Sequence, residues 1–196
     1  MRVVWTQIRY ILPLWFVQLL TDWLPDNRIT IKIRGYFASF CIKKCGRNFT
    51  LGSRVTLNNP QSLYIGDHVY IAKGTWLNAI ANITIEDEVV IAPYVVISTA
   101  QHVFKNNSVR FGGNISGPVV IGKGSWLAAH VSVKCGVTIG KGNLIAANSS
   151  VVKDTPDYKI SGGVPAKIIK DNEDGISLFS TTAELEKMNL KMTNRS

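Results

Sequence analysis

Three histidines, three cysteines and two asparagines, Asn78 and Asn82, are the side chains in this 196-residue chain whose types and spacing bear on proton transfer, nucleophilic attack or substrate holding. A neutral imidazole titrates near physiological pH and can take a proton from a hydroxyl as that oxygen attacks a carbonyl carbon, so no protein nucleophile is then needed. His102 differs from His68 and His130 because it lies just before the longest break in an otherwise regular pattern, where a side chain can face a cleft roofed by a loop. Asn78 and Asn82 fall at the same break one repeat earlier. Either amide could hold a substrate or orient the imidazole, although asparagines at turns commonly do no more than satisfy backbone groups. Cys135 could act as a nucleophile, but no acid–base partner is assignable beside it, and a packed or merely accessible thiol is the plainer reading. The three histidines include no close pair, and Cys41, Cys45 and Cys135 form neither a disulfide framework nor zinc-type doublets, so no metal is expected.

A repeat must position these residues. Aliphatic residues recur every six positions at Ile65, Ile71 and Leu77, at Ile85, Ile91 and Ile97, and then from Ile121 through Leu127, Val133, Ile139 and Ile145 to Val151. That period matches neither the roughly 3.6 residues of a helical turn nor plain alternation, so the unit is a short strand plus a turn. Three such units close a triangular coil, and stacked coils bury a column that no single unit could bury. Val69, Thr75, Val89, Val95, Ser125, Val131 and Val137, four places after each marker, supply a smaller inward layer. His68 and His130, three places after an inward aliphatic, fall on outward ground. The spacing widens to eight from Leu57 to Ile65 and from Leu77 to Ile85, and to twenty-four from Ile97 to Ile121, always at one corner. The connection over 99–118 exceeds the about 12–15 residues usual for unstructured loops. Asn82 holds after Leu77 the offset that His102 holds after Ile97, which predicts the two about 4.8 Å apart in neighbouring coils.

Upstream, Trp5, Ile8, Leu12, Trp15, Phe16, Leu19 and Trp23 fall at helical spacing and predict an amphipathic helix bent at Pro13. Its apolar stretch, Tyr10 to Leu20, is shorter than the about 20 residues a bilayer requires, and no cleavage site follows it. Such a helix either packs against protein or lies in a membrane interface, where Trp and Tyr are favoured and arginines meet anionic lipid. A second helix is predicted from Thr30 to Lys44 with Gly46 near its end, and Thr181-x-x-Glu184 reads as a capping box opening a short helix. The organisation expected is a helical segment over 1–46, a β-helix over 47–170 and a polar tail or helix over 171–196. The net charge of +9 favours an anionic partner. Without a recognition helix, zinc finger or RNA-binding signature, nucleic acid is not expected. The chain reads as cytoplasmic, with at most peripheral contact at the inner face of a membrane.

Val119-Val120-Ile121-Gly122-Lys123-Gly124-Ser125-Trp126-Leu127-Ala128-Ala129, Gly136-Val137-Thr138-Ile139-Gly140, Val151-Val152-Lys153-Asp154-Thr155-Pro156 and Gly162-Gly163-Val164-Pro165-Ala166-Lys167 resemble the carboxy-terminal signature of the hexapeptide-repeat O-acetyltransferases of maltose, galactoside and colanic-acid type. The resemblance runs from about Leu51 to Lys170. It implies an all-β core in the form of a left-handed parallel β-helix, a handedness that rests on the resemblance because the usual crossover rule gives right-handed connections. It also implies a homotrimer with active sites between subunits and acetyl-CoA, as co-substrate, along the coils. Ser98-Thr99-Ala100-Gln101-His102 matches the stretch that carries the family's catalytic histidine. Coenzyme contacts carry over to Trp126, Ala129, Ala147, Val152, Lys153, Lys167 and Lys170. The last two stand where related enzymes often have arginines, so charge is kept and bidentate geometry is not. Ala129 stands where some members have a serine near the thioester carbonyl, which leaves a backbone N–H as the oxyanion donor there. The implied activity is acetyl transfer from acetyl-CoA to a hydroxyl, and the apolar aromatic amino-terminal helix with the basic balance favours as acceptor a sugar within a surface polysaccharide or lipopolysaccharide, or its lipid-linked precursor. The alternatives are acetylation of a small molecule such as a free sugar, serine or an antibiotic, and a non-catalytic β-helix scaffold.

Overall fold

The six-residue period becomes three parallel sheets in the computed structural model, which describes residues 2–173. The first sheet stacks Lys44–Cys45, Leu63–Ile65, Ile83–Ile85, Val119–Ile121 and Thr138–Ile139. The second stacks Thr50–Leu51, Tyr70–Ile71, Val90–Ile91, Trp126–Leu127, Leu144–Ile145 and Lys159–Gly163, and the third Thr56–Asn58, Trp76–Asn78, Val96–Ser98, Ser132–Val133 and Ser150–Val151. Together they form a solenoid of about six turns. Register is set by the column: Ile65 lies over Ile85 and Ile85 over Ile121, while Leu77 lies over Ile97 and Ile97 over Val133.

The aliphatic markers are buried, and so is the smaller layer from Val69 to Val137. Its polar members are satisfied, with the Thr75 hydroxyl donating to the Ala92 carbonyl at 3.2 Å and that of Ser125 to Gly140 at 2.8 Å. The regular six-residue turns take left-handed backbone three places after the marker, supplied by Gly74, Gly124 and Gly142 or by residues such as Glu88 and Asn148. At Gly74 there is also no room for a side chain, because a Cβ would lie 2.4 Å from the Tyr94 ring of the next coil.

The first coil is covered by helices. α1 (Arg2–Thr6) passes through a π-helical turn, Gln7–Ile11, into α2 (Leu12–Thr21). The bend expected at Pro13 is taken up by this wider turn, which lies just before the residue that cannot donate to the carbonyl four positions back. The apolar helix is longer than the stretch read from the sequence. Val3–Thr21 spans 19 residues, enough by length and composition to cross a membrane. One side of it is fixed to protein, since Leu14 is buried, Val17 packs on the core and the Gln18 amide donates to the Val55 carbonyl.

α3 (Arg28–Ser39) begins before and ends well before the span expected from Thr30 to Lys44. Asn27 caps it by accepting from the Ile29 and Thr30 amides, while Thr30 returns a bond to the Asn27 amide. It stops early because Lys44–Cys45 pairs with Tyr64–Ile65 as the first strand of the solenoid. Gly46 serves that stacking and not a helix end, because a Cβ there would lie 2.4 Å from Asp67 Oδ1. Arg34, fully buried, ties the helices to the coil. Its guanidinium donates to Asp26 Oδ1 at 2.9 Å, to the Leu51 carbonyl at 2.9 Å and to the Thr21 carbonyl at 2.8 Å.

At the other end Lys159–Gly163 continues the second sheet and then pairs antiparallel with Ala166–Asp171. The last stretch is thus a hairpin closing the solenoid, not a further hexapeptide turn. The capping box at Thr181-x-x-Glu184 lies outside the described residues.

Candidate active site

The corner between the third and first sheets is where successive coils differ. The chain crosses it by a 3-10 turn at Pro60–Ser62, then by four residues over 79–82, and then by an antiparallel hairpin of Ala100–His102 with Asn114–Ser116. The connection over 99–118 is therefore an ordered arm. Thr99 is its root. This buried residue donates its amide to the Asn78 carbonyl at 3.0 Å and its hydroxyl to the same carbonyl at 2.9 Å, and its hydroxyl oxygen accepts from the Ala81 amide at 2.9 Å. On the returning side the Gly117 amide donates to the Thr99 carbonyl at 3.0 Å. Thr99 was not singled out from the sequence, where it reads only as part of the Ser/Thr stretch before His102.

A cavity of about 340 Å³ lies beside this arm, lined by Trp76, Asn78, Ile80, Ser98, His102 and Asn114 among others. His102 is exposed and Asn78 half-buried, with Asn78 directly over Ser98 in the third sheet. Among the described residues no carboxylate lines the cavity. The sequence placed Asn82 beside His102, and Asn82 is not among the residues that line this cavity. Equal offsets guarantee stacking only while both coils stay in register, and the chain leaves its sheet after Ser98 to pair with its own returning strand. The Asn82 carbonyl instead accepts from the Val119 amide at 3.0 Å. The residue that takes its place is Asn114, the register partner of His102 across the hairpin.

The other histidines occupy left-handed corner positions, both with φ of 60°. His68 lies over Asn48 at 3.4 Å between the first and second sheets, and His130 stacks on Tyr94 between the second and third, with ring centroids 5.2 Å apart. The three histidines thus belong to three different corners. Among the described residues no three His, Cys, Asp or Glu side chains cluster as a metal site would require. The Cys135 thiol donates to Gln101 Oε1 at 3.6 Å, which fastens the arm to the coil beyond it.

No protein-family model matches the chain. It is 30% identical over 158 residues to a putative colanic acid biosynthesis acetyltransferase of Escherichia coli K12, a match covering 81% of this chain and 85% of the relative. The galactoside O-acetyltransferase of the same strain is 32% identical over 131 residues, 64% of either chain. A solved hexapeptide-repeat acetyltransferase from Vibrio cholerae, in complex with acetyl coenzyme A, superposes with a TM-score of 0.72 at 27% identity over 83% of this chain and 86% of that one. The chain belongs to the hexapeptide-repeat acetyltransferases. Its fold is the left-handed parallel β-helix of that family.

In this acetyltransferase the residues matched to coenzyme contacts lie at several places along the β-helix. Trp126, 40% exposed on the second sheet, lines a groove of about 800 Å³ with Tyr70, Val90, Arg28 and Lys32. Ala129 and Ala147 sit one coil apart on the corner between the second and third sheets, where the Asn148 amide donates to the Ala129 carbonyl at 3.0 Å. Val152 and Lys153 follow the last strand of the third sheet. Lys167 and Lys170 lie opposite Gly162 and Ile160 in the closing hairpin.

Proposed function

We propose that this enzyme moves the acetyl group of acetyl-CoA to a sugar hydroxyl of a surface-polysaccharide or lipopolysaccharide precursor, with His102 as general base. The observation that carries the reading is the cavity at the widened corner, where an exposed imidazole shares a wall with Asn78 and Asn114. Its volume lies at the small end of ligand sites, about 300–1,000 Å³, and suits a single sugar ring. The substrate hydroxyl donates to the imidazole and its oxygen attacks the thioester carbonyl as the proton passes to His102. The tetrahedral intermediate then expels the coenzyme sulfur, which takes that proton from the imidazolium, leaving an ester and free coenzyme thiol. The two amides hold the acceptor in line, and positioning of this kind supplies a large share of the rate.

The residues matched to the coenzyme are Trp126, Ala129, Ala147, Val152, Lys153, Lys167 and Lys170. Their spread over the second sheet, two corners and the closing hairpin supports a groove completed by a second subunit of a homotrimer, with the lysines meeting coenzyme phosphates. The Ala129 position offers a backbone N–H in place of a serine hydroxyl as the oxyanion donor. A lipid-linked saccharide as acceptor would place the enzyme at the cytoplasmic face of a membrane.

Transfer from acetyl-CoA to a panel of free and lipid-linked saccharides tests the reading, with His102→Ala as control. The variant should fold and lose about 10²–10⁴-fold in turnover. Turnover within a few-fold of wild type, or no rise in thermal stability with saturating acetyl-CoA, would overturn it.

A further inference from the structure

The helical cap is inverted relative to a helix that faces water. The sides turned to the β-helix carry Leu14, Gln18, Arg34, Gly35 and Ala38, which include a charge, an amide and two small residues. The sides turned outward carry Trp15 at 51% exposure, Leu19 at 54%, Trp23 at 76%, Phe37 at 51% and Phe40 at 57%. Trp5, Ile8, Phe16 and Ile33 extend the same pattern. Contiguous apolar surface of this kind marks a partner, since soluble chains seldom leave it in water.

Charge identifies the partner. Residues 1–48 hold eight Lys and Arg against two Asp and no Glu. Both aspartates, Asp22 and Asp26, face Arg34 at 3.5 Å and 2.9 Å. Arg28, Lys32, Lys43 and Lys44 are left exposed around the apolar side chains. A cavity of about 780 Å³ between α3 and the first corner is lined by Lys32 and by Arg47, which is paired to Asp67 at 2.9 Å.

We propose that α1, α2 and α3 seat the enzyme on an anionic bilayer, with Trp15, Leu19, Trp23 and Phe37 entering the headgroup and acyl boundary and the surrounding cations meeting lipid phosphates. Apolar and aromatic residues backed by Lys and Arg are what an interfacial helix requires. The helix lies on the membrane and does not cross it, because Leu14, Gln18 and Thr21 hold one side against the β-helix and Arg34, and Arg9 donates to the Phe40 carbonyl at 2.6 Å. The inference deepens the reading of a membrane-borne acceptor and is tested without acetyl-CoA or acceptor, so that either can fail alone.

The full chain is sedimented with vesicles of phosphatidylcholine, with and without phosphatidylglycerol, at low and high salt, while tryptophan emission is recorded. Binding to the anionic vesicles, weakened by salt and accompanied by a blue shift, is expected. The double variant W15E/L19E should lose at least tenfold in binding with its melting temperature and oligomeric mass unchanged, and Phe37→Ser should lose several-fold. Failure of the wild type to bind anionic vesicles, or equal binding by these folded variants, would overturn the proposal. A fall in oligomeric mass in W15E/L19E would also overturn it, by assigning the face to a second copy of the chain.

Discussion

His102 and Asn114 are register partners across the antiparallel hairpin, and both line the cavity at the widened corner. Residues directly opposite in an antiparallel pair present their side chains to the same face, with Cβ atoms about 4.5–5.5 Å apart. Asn114 is therefore in reach of whatever His102 deprotonates. Asn114→Ala should lower kcat/KM about 3–10-fold, the worth of one hydrogen bond of about 1 kcal/mol, and leave the melting temperature unchanged. In a His102→Ala background the same change should add little, since residues acting on one group are not additive. Steady-state kinetics of the two single variants and the double variant decide it.

Thr99 holds the arm by its hydroxyl. Thr99→Val keeps the shape and leaves the Ala81 amide without its side-chain acceptor, at a cost of about 1–3 kcal/mol. Thermal unfolding should show that loss, and kcat should fall with it, because the Ala100–His102 strand is rooted there. Thr99→Ser should restore both.

The β-helix was legible because its physics is local and repeated: Ile85, Ile91 and Ile97 state the period, and the jump from Ile97 to Ile121 states where the coil opens. What the sequence did not disclose depends on pairings made across space. Ala100-Gln101-His102 and Asn114-Ile115-Ser116 have no strong alternation, so the hairpin and the place of Asn114 follow only from Thr99 and Gly117 clamping its two ends. Gly46 resembled a helix stop, yet the space that excludes a side chain there belongs to Asp67, one coil away. The contacts that dock the helices, Arg34 to Leu51 and Gln18 to Val55, pair side chains with distant backbone carbonyls and leave no spacing signal.

The Arg34 network predicts how the cap responds to acid. Partial burial pushes the Asp26 carboxyl up, but the hydrogen bonds from the Ser53 amide and hydroxyl and from Arg34, together with the Arg34 charge, outweigh it and hold it below its ordinary value. The stability it contributes is complete above the unfolded carboxyl's pKa and drains away as pH falls through the lowered value, that is below about pH 4. Asp26→Asn should flatten this acid limb in melts recorded across pH. Arg34→Ala, which strands two carboxylates that retain some solvent, should cost about 3 kcal/mol.

Cys45 should be chemically silent. Burial, with the nearby Asp67 charge, pushes its thiol up to about 12. At pH 8 almost none of it is thiolate, the form that reacts. Alkylation followed by peptide mapping should find Cys45 unmodified until denaturant is added. Labelling of the native protein at the rate of a free thiol would contradict the packing of the first coil.

The arm's geometry can be perturbed without touching the residues on the cavity wall. At Gly112 a Cβ would lie 1.6 Å from the Val103 carbonyl oxygen, so Gly112→Ala must push the two sides of the hairpin apart beside His102. A displacement of about 1 Å at a reacting group can cost about 10²-fold in rate. The buried column includes no residue of the hairpin, so the melting temperature should stay within a degree or two, about the effect of a few tenths of a kcal/mol in a domain of this size. Gly113→Ala is the contrasting change. Its Cβ would meet nothing within 4 Å, and only the φ of +80° disfavours it. If distance to Val103 is what matters, Gly113→Ala should retain most of the activity that Gly112→Ala loses.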